Sequence, residues 1–194
     1  FDTETDSLDF TQANLVGLSV ATDENNAYYI PVGHDYEGAP KQLDRDEVLK
    51  KLKPIIEKTP LIGQHLKFDR NVLANYDIHL NAIENDTMLM SYVYDPTATR
   101  HNLDAMASHY LNVKTTTFED VAGKGVKQLT FNQIPLEKAS DYAAEDADIT
   151  FRCYSHLKPA LAKTPSLEKV LHEIELPFVP VLFDMEQAWS LVNE

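Results

Sequence analysis

Two carboxylates open the chain two residues apart, Asp2 and Glu4, in the stretch Phe1-Asp2-Thr3-Glu4-Thr5. On a β-strand successive side chains alternate between faces, so these two point the same way. Side by side they repel, and each holds the other's pKa up unless a cation sits between them. Hard divalent ions such as Mg²⁺ and Mn²⁺ take such oxygen ligands. Taken alone the pattern is more often that of a solvated strand, where acidic pairs are frequent. Further along, Gly63-Gln64-His65-Leu66-Lys67-Phe68-Asp69 reads as a strand end running into a helix. That places Asp69 in a first turn, where the helix dipole favours an acid whatever its function. Near the far end, Tyr142 and Asp146 stand at i and i+4 on one helix face. Ala139, Ala143 and Ala147 give the same helix a small-residue surface for close packing. A core tyrosine beside a solvated acid fits this segment as well.

The elements that must position these groups can be read from periodicity. Residues 1–5 form a short strand, and residues 15–22 are rich in β-formers with partial alternation. The turn cluster Asp23-Glu24-Asn25-Asn26 leads to a third strand over residues 27–32, so an antiparallel meander is expected. Asp44 can cap a helix running to about Glu57, with Val48, Leu49, Leu52, Ile55 and Ile56 as its apolar stripe. Residues 60–63 make a short buried strand. Helices are expected over 68–76, 87–94, 103–111, 136–161 and 166–189, the last bent by Pro177 and Pro180. Gly123-Lys124-Gly125 marks a loop, either a solvated turn or a segment near the substrate. Strands followed by helices, with a strand between helices, indicate an α/β layer architecture around a mixed sheet.

The bulk properties bound what this architecture can do. At 194 residues with 43% apolar side chains, the chain fits one domain with a substantial core. No apolar run approaches the ~18 residues of a membrane span, and no secretory pattern stands at the start. The chain opens at Phe1 without a Met and directly in a strand, and its last helix has no strong stop, so a longer parent chain is expected. Cys153 is the single cysteine, which excludes an intrachain disulfide and a zinc-type cysteine cluster. It fits a reducing cytoplasmic setting. The formal charge is −14. A protein living by phosphate contacts alone would be basic, so action on nucleic acid would need bound metal for positive charge. An acidic surface kept for solubility is the plain alternative.

Taken together, the strand Asp2-x-Glu4, the junction Asp69 and the helix Tyr142-x-x-x-Asp146 resemble the three motifs of the DEDD exonuclease superfamily, Tyr subclass. Four longer stretches narrow the resemblance: Phe-Asp-Thr-Glu-Thr-Asp-Ser-Leu-Asp from Phe1, Gly-Gln-His-Leu-Lys-Phe-Asp-Arg from Gly63, Ala-Gly-Lys-Gly-Val-Lys-Gln-Leu-Thr-Phe-Asn-Gln-Ile from Ala122, and Tyr-Ala-Ala-Glu-Asp-Ala-Asp from Tyr142. They are similar to the 3′→5′ proofreading domain of the bacterial DNA polymerase I family (family A), in family order from Phe1 to about Glu186. The sequence departs from the family at His65, where Asn is usual, and at Phe68, which replaces a frequent Tyr. Residues 187–190 also lack the Asn-Gly turn of the family.

The resemblance implies a ribonuclease-H-like fold, with a three-strand antiparallel meander plus parallel strands flanked by helices. Residues 1–186 would form the exonuclease domain, and 187–194 would begin the connection to a polymerase domain of the same chain. It implies two divalent ions, Mg²⁺ or Mn²⁺, with Zn²⁺ as an alternative at one site. One would be held by Asp2, Glu4 and Asp146, the other by Asp2 and, through water, Asp69. The metal-free site would then be disordered or partly protonated. Tyr142, with an ordinary pKa of ~10, would orient the attacking water together with Glu4. Leu8 and Phe118 would pack on the terminal bases, while Thr5, Gln64, His65, Phe68 and Arg100 would touch the strand near the scissile phosphate. The partner would be a single-stranded DNA 3′ end, met by a monomer in the bacterial cytoplasm, associated with the nucleoid and with no membrane partner.

Three other readings compete. An RNA exonuclease of the RNase D type shares the carboxylates and the tyrosine. A catalytically inactive scaffold would keep the fold but lose carboxylates, and this chain retains all four. A haloacid-dehalogenase phosphatase loop needs Asp where this chain has Glu4.

Overall fold

The computed structural model describes residues 1–189. Strand β1 (Asp2–Thr5) pairs antiparallel with β2 (Leu15–Asp23), which pairs antiparallel with β3 (Asn26–Pro31), giving the meander expected from the turn clusters. β2 is the middle strand and has apolar packing on both faces. Leu15 and Leu18 join a cluster with Leu49, Ile56, Leu66 and Leu73, while Val16 faces Ala139 and Ala143 on the other side.

Helix α1 (Arg45–Ile56) starts where the sequence indicates, because the Asp44 carboxylate accepts from the Glu47 N–H at 3.0 Å. β4 (Leu61–Gly63) pairs parallel with β5 (Ile83–Asp86), a strand the sequence does not announce because Ile83 is its single apolar residue. The expected mixed sheet is thus two ladders, of three strands and of two. They meet where the Phe1 amino group donates to the Ile62 carbonyl at 2.8 Å, setting β1 alongside β4.

The remaining elements are helical. α2 (Leu66–Ala74) and α3 (Thr87–Tyr94) follow the parallel strands, and α4 (Leu103–Met106) runs into a π-turn, Ala107–Leu111. A short α5 (Phe118–Ala122) is closed by a Thr117–Asp120 capping box. The long α6 (Leu136–Ala162) lies across β2 and β3, its fully buried Ala139 and Ala143 allowing the close approach.

The single helix expected over 166–189 is three segments: α7 (Pro165–Val170), a π-turn over Leu171–Glu175, and α8 (Leu176–Trp189). Pro177 has no N–H and its ring crowds the carbonyl four residues back. The turn before it widens accordingly, with the Leu176 N–H donating to Leu171, five residues back. α8 then returns to α2. Glu186 accepts from Lys67 at 2.5 Å and from Asn71 at 2.9 Å, and Gln187 donates to Asn71 at 2.7 Å. The connecting segment read at 187–194 lies, from residue 190 on, outside the described residues. Among the described residues no helix is long and apolar enough to cross a membrane.

Candidate active site

β1 presents Asp2 and Glu4 to α6, which supplies Asp146, and one carboxylate oxygen from each lies within 4.8 Å of the other two. Strand alternation puts the first two on one face, and the small residues of α6 let the third come close. Glu4 Oε1 is buried and has no hydrogen-bond partner. Such an atom is costly unless something else satisfies it.

Burial is the largest force on all three groups. It lifts Asp2 from 3.8 to about 7, with the Asp146 charge adding and the Phe1 amine opposing. Asp146 also rises to about 7 through burial, against the pull of its hydrogen bond with Tyr142. Glu4 is held well above the ordinary carboxylate range by burial, then by Asp2, Asp146 and Asp69. Three crowded, desolvated carboxylates and an orphaned oxygen make an all-oxygen donor set of the kind hard divalent cations occupy. The residues present therefore fit such an ion.

Asp69 stands outside this triad. It is 2% exposed in the first turn of α2, and its Oδ1 accepts from the Thr3 N–H at 2.8 Å and the Thr3 hydroxyl at 2.6 Å. On the outer edge of β1 it continues the line begun by the Phe1–Ile62 bond. Burial, then the Asp2 charge, pushes its carboxyl well above the usual range, while both Thr3 bonds oppose the rise.

α2 is itself held by a residue the sequence reading did not single out. Asp86, 1% exposed at the end of β5, accepts from the His65 and Leu66 N–H groups at 3.1 and 2.7 Å. It also accepts from Met88 and Leu89 at 3.0 and 3.3 Å, so one carboxylate caps both α2 and α3. An Asp just before a helix is a visible N-cap signal, but its reach to a second helix is not encoded locally. His65 bridges the cap in left-handed backbone, φ 61°, and is exposed.

A cavity of about 540 Å³ opens over the triad. It is lined by Asp2, Glu4, Tyr142 and Asp146 together with Thr5, Leu8, Phe68 and Phe118, and also by Gln128, Leu129, Thr130 and Phe131, which sequence reasoning missed. Leu8 projects with 92% of its surface exposed. The Tyr142 ring packs edge-on to Phe118 at 6.2 Å and lies 6.0 Å from Phe131. Burial and the neighbouring acids push its hydroxyl above its ordinary value, so it stays protonated. Asp69, Gln64, His65 and Arg100 do not line this cavity. The Gln64 amide is engaged, donating to the His101 carbonyl at 2.8 Å and accepting from Thr87 at 2.5 Å, and Arg100 is exposed.

Comparison with known proteins adds family context to this geometry. A family profile described as 3′–5′ exonuclease matches residues 1–162. The DNA polymerase I of Pseudomonas aeruginosa is 53% identical over 197 residues, covering 100% of this chain and 22% of that protein. The DNA polymerase I of Rhizobium leguminosarum is 38% identical, covering 100% of this chain and 21% of its own length. The chain therefore spans about a fifth of these relatives. Among solved structures, NrnC of Brucella melitensis shares the fold with a TM-score of 0.65 at 20% identity, covering 96% of this chain and 83% of that one. A structure of the same nuclease with bound Mg²⁺ gives a TM-score of 0.60 at 20% identity over 96% and 83% of the two chains.

Proposed function

Because the chain belongs to the 3′–5′ exonuclease family matched over residues 1–162, we propose that it is the proofreading module of a DNA polymerase I, removing single nucleotides from single-stranded or frayed DNA 3′ ends. The observation that carries this reading is the convergence of Asp2, Glu4 and Asp146, with its unpartnered Glu4 oxygen, at the floor of a cavity walled by Leu8 and Phe118. Its mixed α/β architecture is the ribonuclease-H-like one.

The reaction is hydrolysis. A water oxygen attacks the terminal phosphorus, the bond to the preceding 3′ oxygen breaks, and a nucleoside 5′-monophosphate leaves behind a new 3′-hydroxyl. Divalent ions bound here supply a nucleophilic water at neutral pH and neutralise charge on the leaving oxygen. Asp2, Glu4 and Asp146 would hold one ion, and Asp2 with Asp69, through water, a second; Mg²⁺ or Mn²⁺ suits both. Tyr142 keeps its proton and orients the attacking water together with Glu4. Leu8 and Phe118 pack against the terminal bases with little base preference, as removal of any mismatched nucleotide requires. Thr5 and Phe68, which line the cavity, contact the strand around the scissile phosphate, whereas Gln64, His65 and Arg100 lie outside it and would meet only strand that runs beyond the cavity.

In the cell we place the module in the bacterial cytoplasm at the nucleoid, joined to a polymerase domain of its own chain and acting as a monomer. The test is digestion of labelled DNA and RNA oligonucleotides side by side in Mg²⁺ or Mn²⁺. Stepwise shortening of DNA from the 3′ end is expected, with rate lost by at least about two orders of magnitude in Asp2→Ala or Asp146→Ala. Preference for RNA would favour the RNase D type, and no cleavage with either ion would favour the inactive scaffold.

A further inference from the structure

Behind the carboxylate triad lie two residues that the chemistry above does not use, Tyr29 and His34. Glu4 pairs across the strands with Gly17, and Gly17 with Pro31. Tyr29, two residues before Pro31 on β3, shares their face of the sheet. A Cβ on Gly17 would meet the Tyr29 hydroxyl at 2.2 Å, so the phenol fills the space that a side chain there would take. Directly opposed Cβ positions are about 4.5–5.5 Å apart, which sets the hydroxyl beside Glu4. The Glu4 charge accordingly joins burial in raising the Tyr29 pKa.

A phenol in this place is an obvious donor for a buried carboxylate, yet Glu4 Oε1 has no hydrogen bond. The Tyr29 hydroxyl instead lies 2.8 Å from His34 Nε2. His34 is 6% exposed, and burial lowers its pKa, so the ring is neutral and has one bare nitrogen. The carbonyls of Ile134 and Asn132 are the backbone groups that favour a proton on this ring. Nδ1 is itself buried with no hydrogen-bond partner, and a proton placed there makes Nε2 the acceptor for the Tyr29 hydroxyl, whereas a proton on Nε2 would make Tyr29 the acceptor.

We propose that His34 is a positioning residue for the metal site: as the Nδ1–H tautomer it accepts the Tyr29 proton at Nε2, withholding that proton from Glu4 and keeping Glu4 Oε1 free for a divalent cation. Gly17 is the slot that makes the arrangement possible. The inference rests on the metal-binding reading given above. Removing the acceptor would turn the Tyr29 hydroxyl toward Glu4, where a charge-assisted hydrogen bond competes with the ion.

The test measures Mn²⁺ binding by calorimetry, with no substrate present, and the His34 tautomer by ¹⁵N NMR of the metal-free wild type. His34→Phe should weaken Mn²⁺ binding roughly tenfold. Adding Tyr29→Phe to it should restore wild-type affinity, a rescue that loss of packing would not give. Unchanged affinity in His34→Phe, or a double variant as weak as the single one, overturns the proposal, and so does a proton found on Nε2. If His34→Phe does not fold, the tautomer and Tyr29→Phe alone decide: wild-type affinity in Tyr29→Phe supports the proposal, and tighter binding overturns it. A wild type that binds no Mn²⁺ sinks the metal reading instead, while the tautomer still judges the role of His34.

Discussion

At the Asp2, Glu4 and Asp146 cluster, protons and a bound divalent cation would compete for one place. Asp2 and Asp146 are each raised from 3.8 to about 7, so between those limits the metal-free folded protein holds more protons than the unfolded chain. Its stability should therefore fall as pH rises through that window and be greatest at the acid end. A bound cation favours the ionised carboxylates and should remove the slope. Thermal melts from pH 5 to 8 with chelator or with Mg²⁺ will show this, and Asp2→Asn with Asp146→Asn should flatten the chelator series. Metal-free stability that climbs toward pH 7 would contradict the account. The pairing of Asp2 with Glu4 was readable from strand alternation, and that of Tyr142 with Asp146 from helical spacing. The Thr3–Asp69 bonds were not, because they join residues 66 apart that only the packing of α2 on β1 brings together.

Among the elements, those with a strong local signal sit where their residues say. The Asp44 cap and the three-strand meander are such cases, each resting on contacts within one turn or one ladder, and the alanine spacing of α6 marks the face it packs on β2 and β3. β5 has one apolar residue and owes its strand conformation to the β4 ladder and to the Leu61–Ala82 backbone bond at 2.9 Å. The π-turn over Leu171–Glu175 answers the Pro177 ring, which helical periodicity does not register. Asp86 shows the difference most plainly, since a cap for one helix was visible and a cap shared by two was not. Its removal should be correspondingly costly. Asp86→Ala leaves four N–H groups without their acceptor and should cost about 2–4 kcal/mol, against roughly 1 kcal/mol for Asp44→Ala, in chemical denaturation. Only the Asp86 variant should also weaken binding at the proposed second cation site, because α2 carries Asp69. Equal losses at the two caps would remove Asp86 from this role.

For the whole molecule, the decisive quantity is charge. The chain carries 17 Lys and Arg against 31 Asp and Glu, a net of −14, and the residues lining the cavity over the carboxylates are acidic, neutral polar or apolar, with no Lys or Arg among them. Among the described residues Lys53, Lys67, Lys124, Arg152, Lys158 and Lys169 are each paired with a carboxylate, so these cations are already engaged within the protein. A single-stranded 3′ end approaching this cavity would meet repulsion that ions at the carboxylates can locally offset. Affinity for a single strand should thus depend on the metal, falling at least about tenfold in chelator. Because each phosphate neutralised by a protein cation adds about −0.7 to the slope of log K against log salt on single strands, that slope should stay shallow, near −1 to −2. Cleavage-resistant phosphorothioate-ended oligonucleotides allow the titration on the wild-type protein without turnover. Tight, metal-independent binding with a steep slope would point to a basic path for the strand that this charge distribution does not provide. Shallow, metal-dependent binding would mean that ions at the carboxylates, and not a basic surface of this domain, hold the strand end in the cavity.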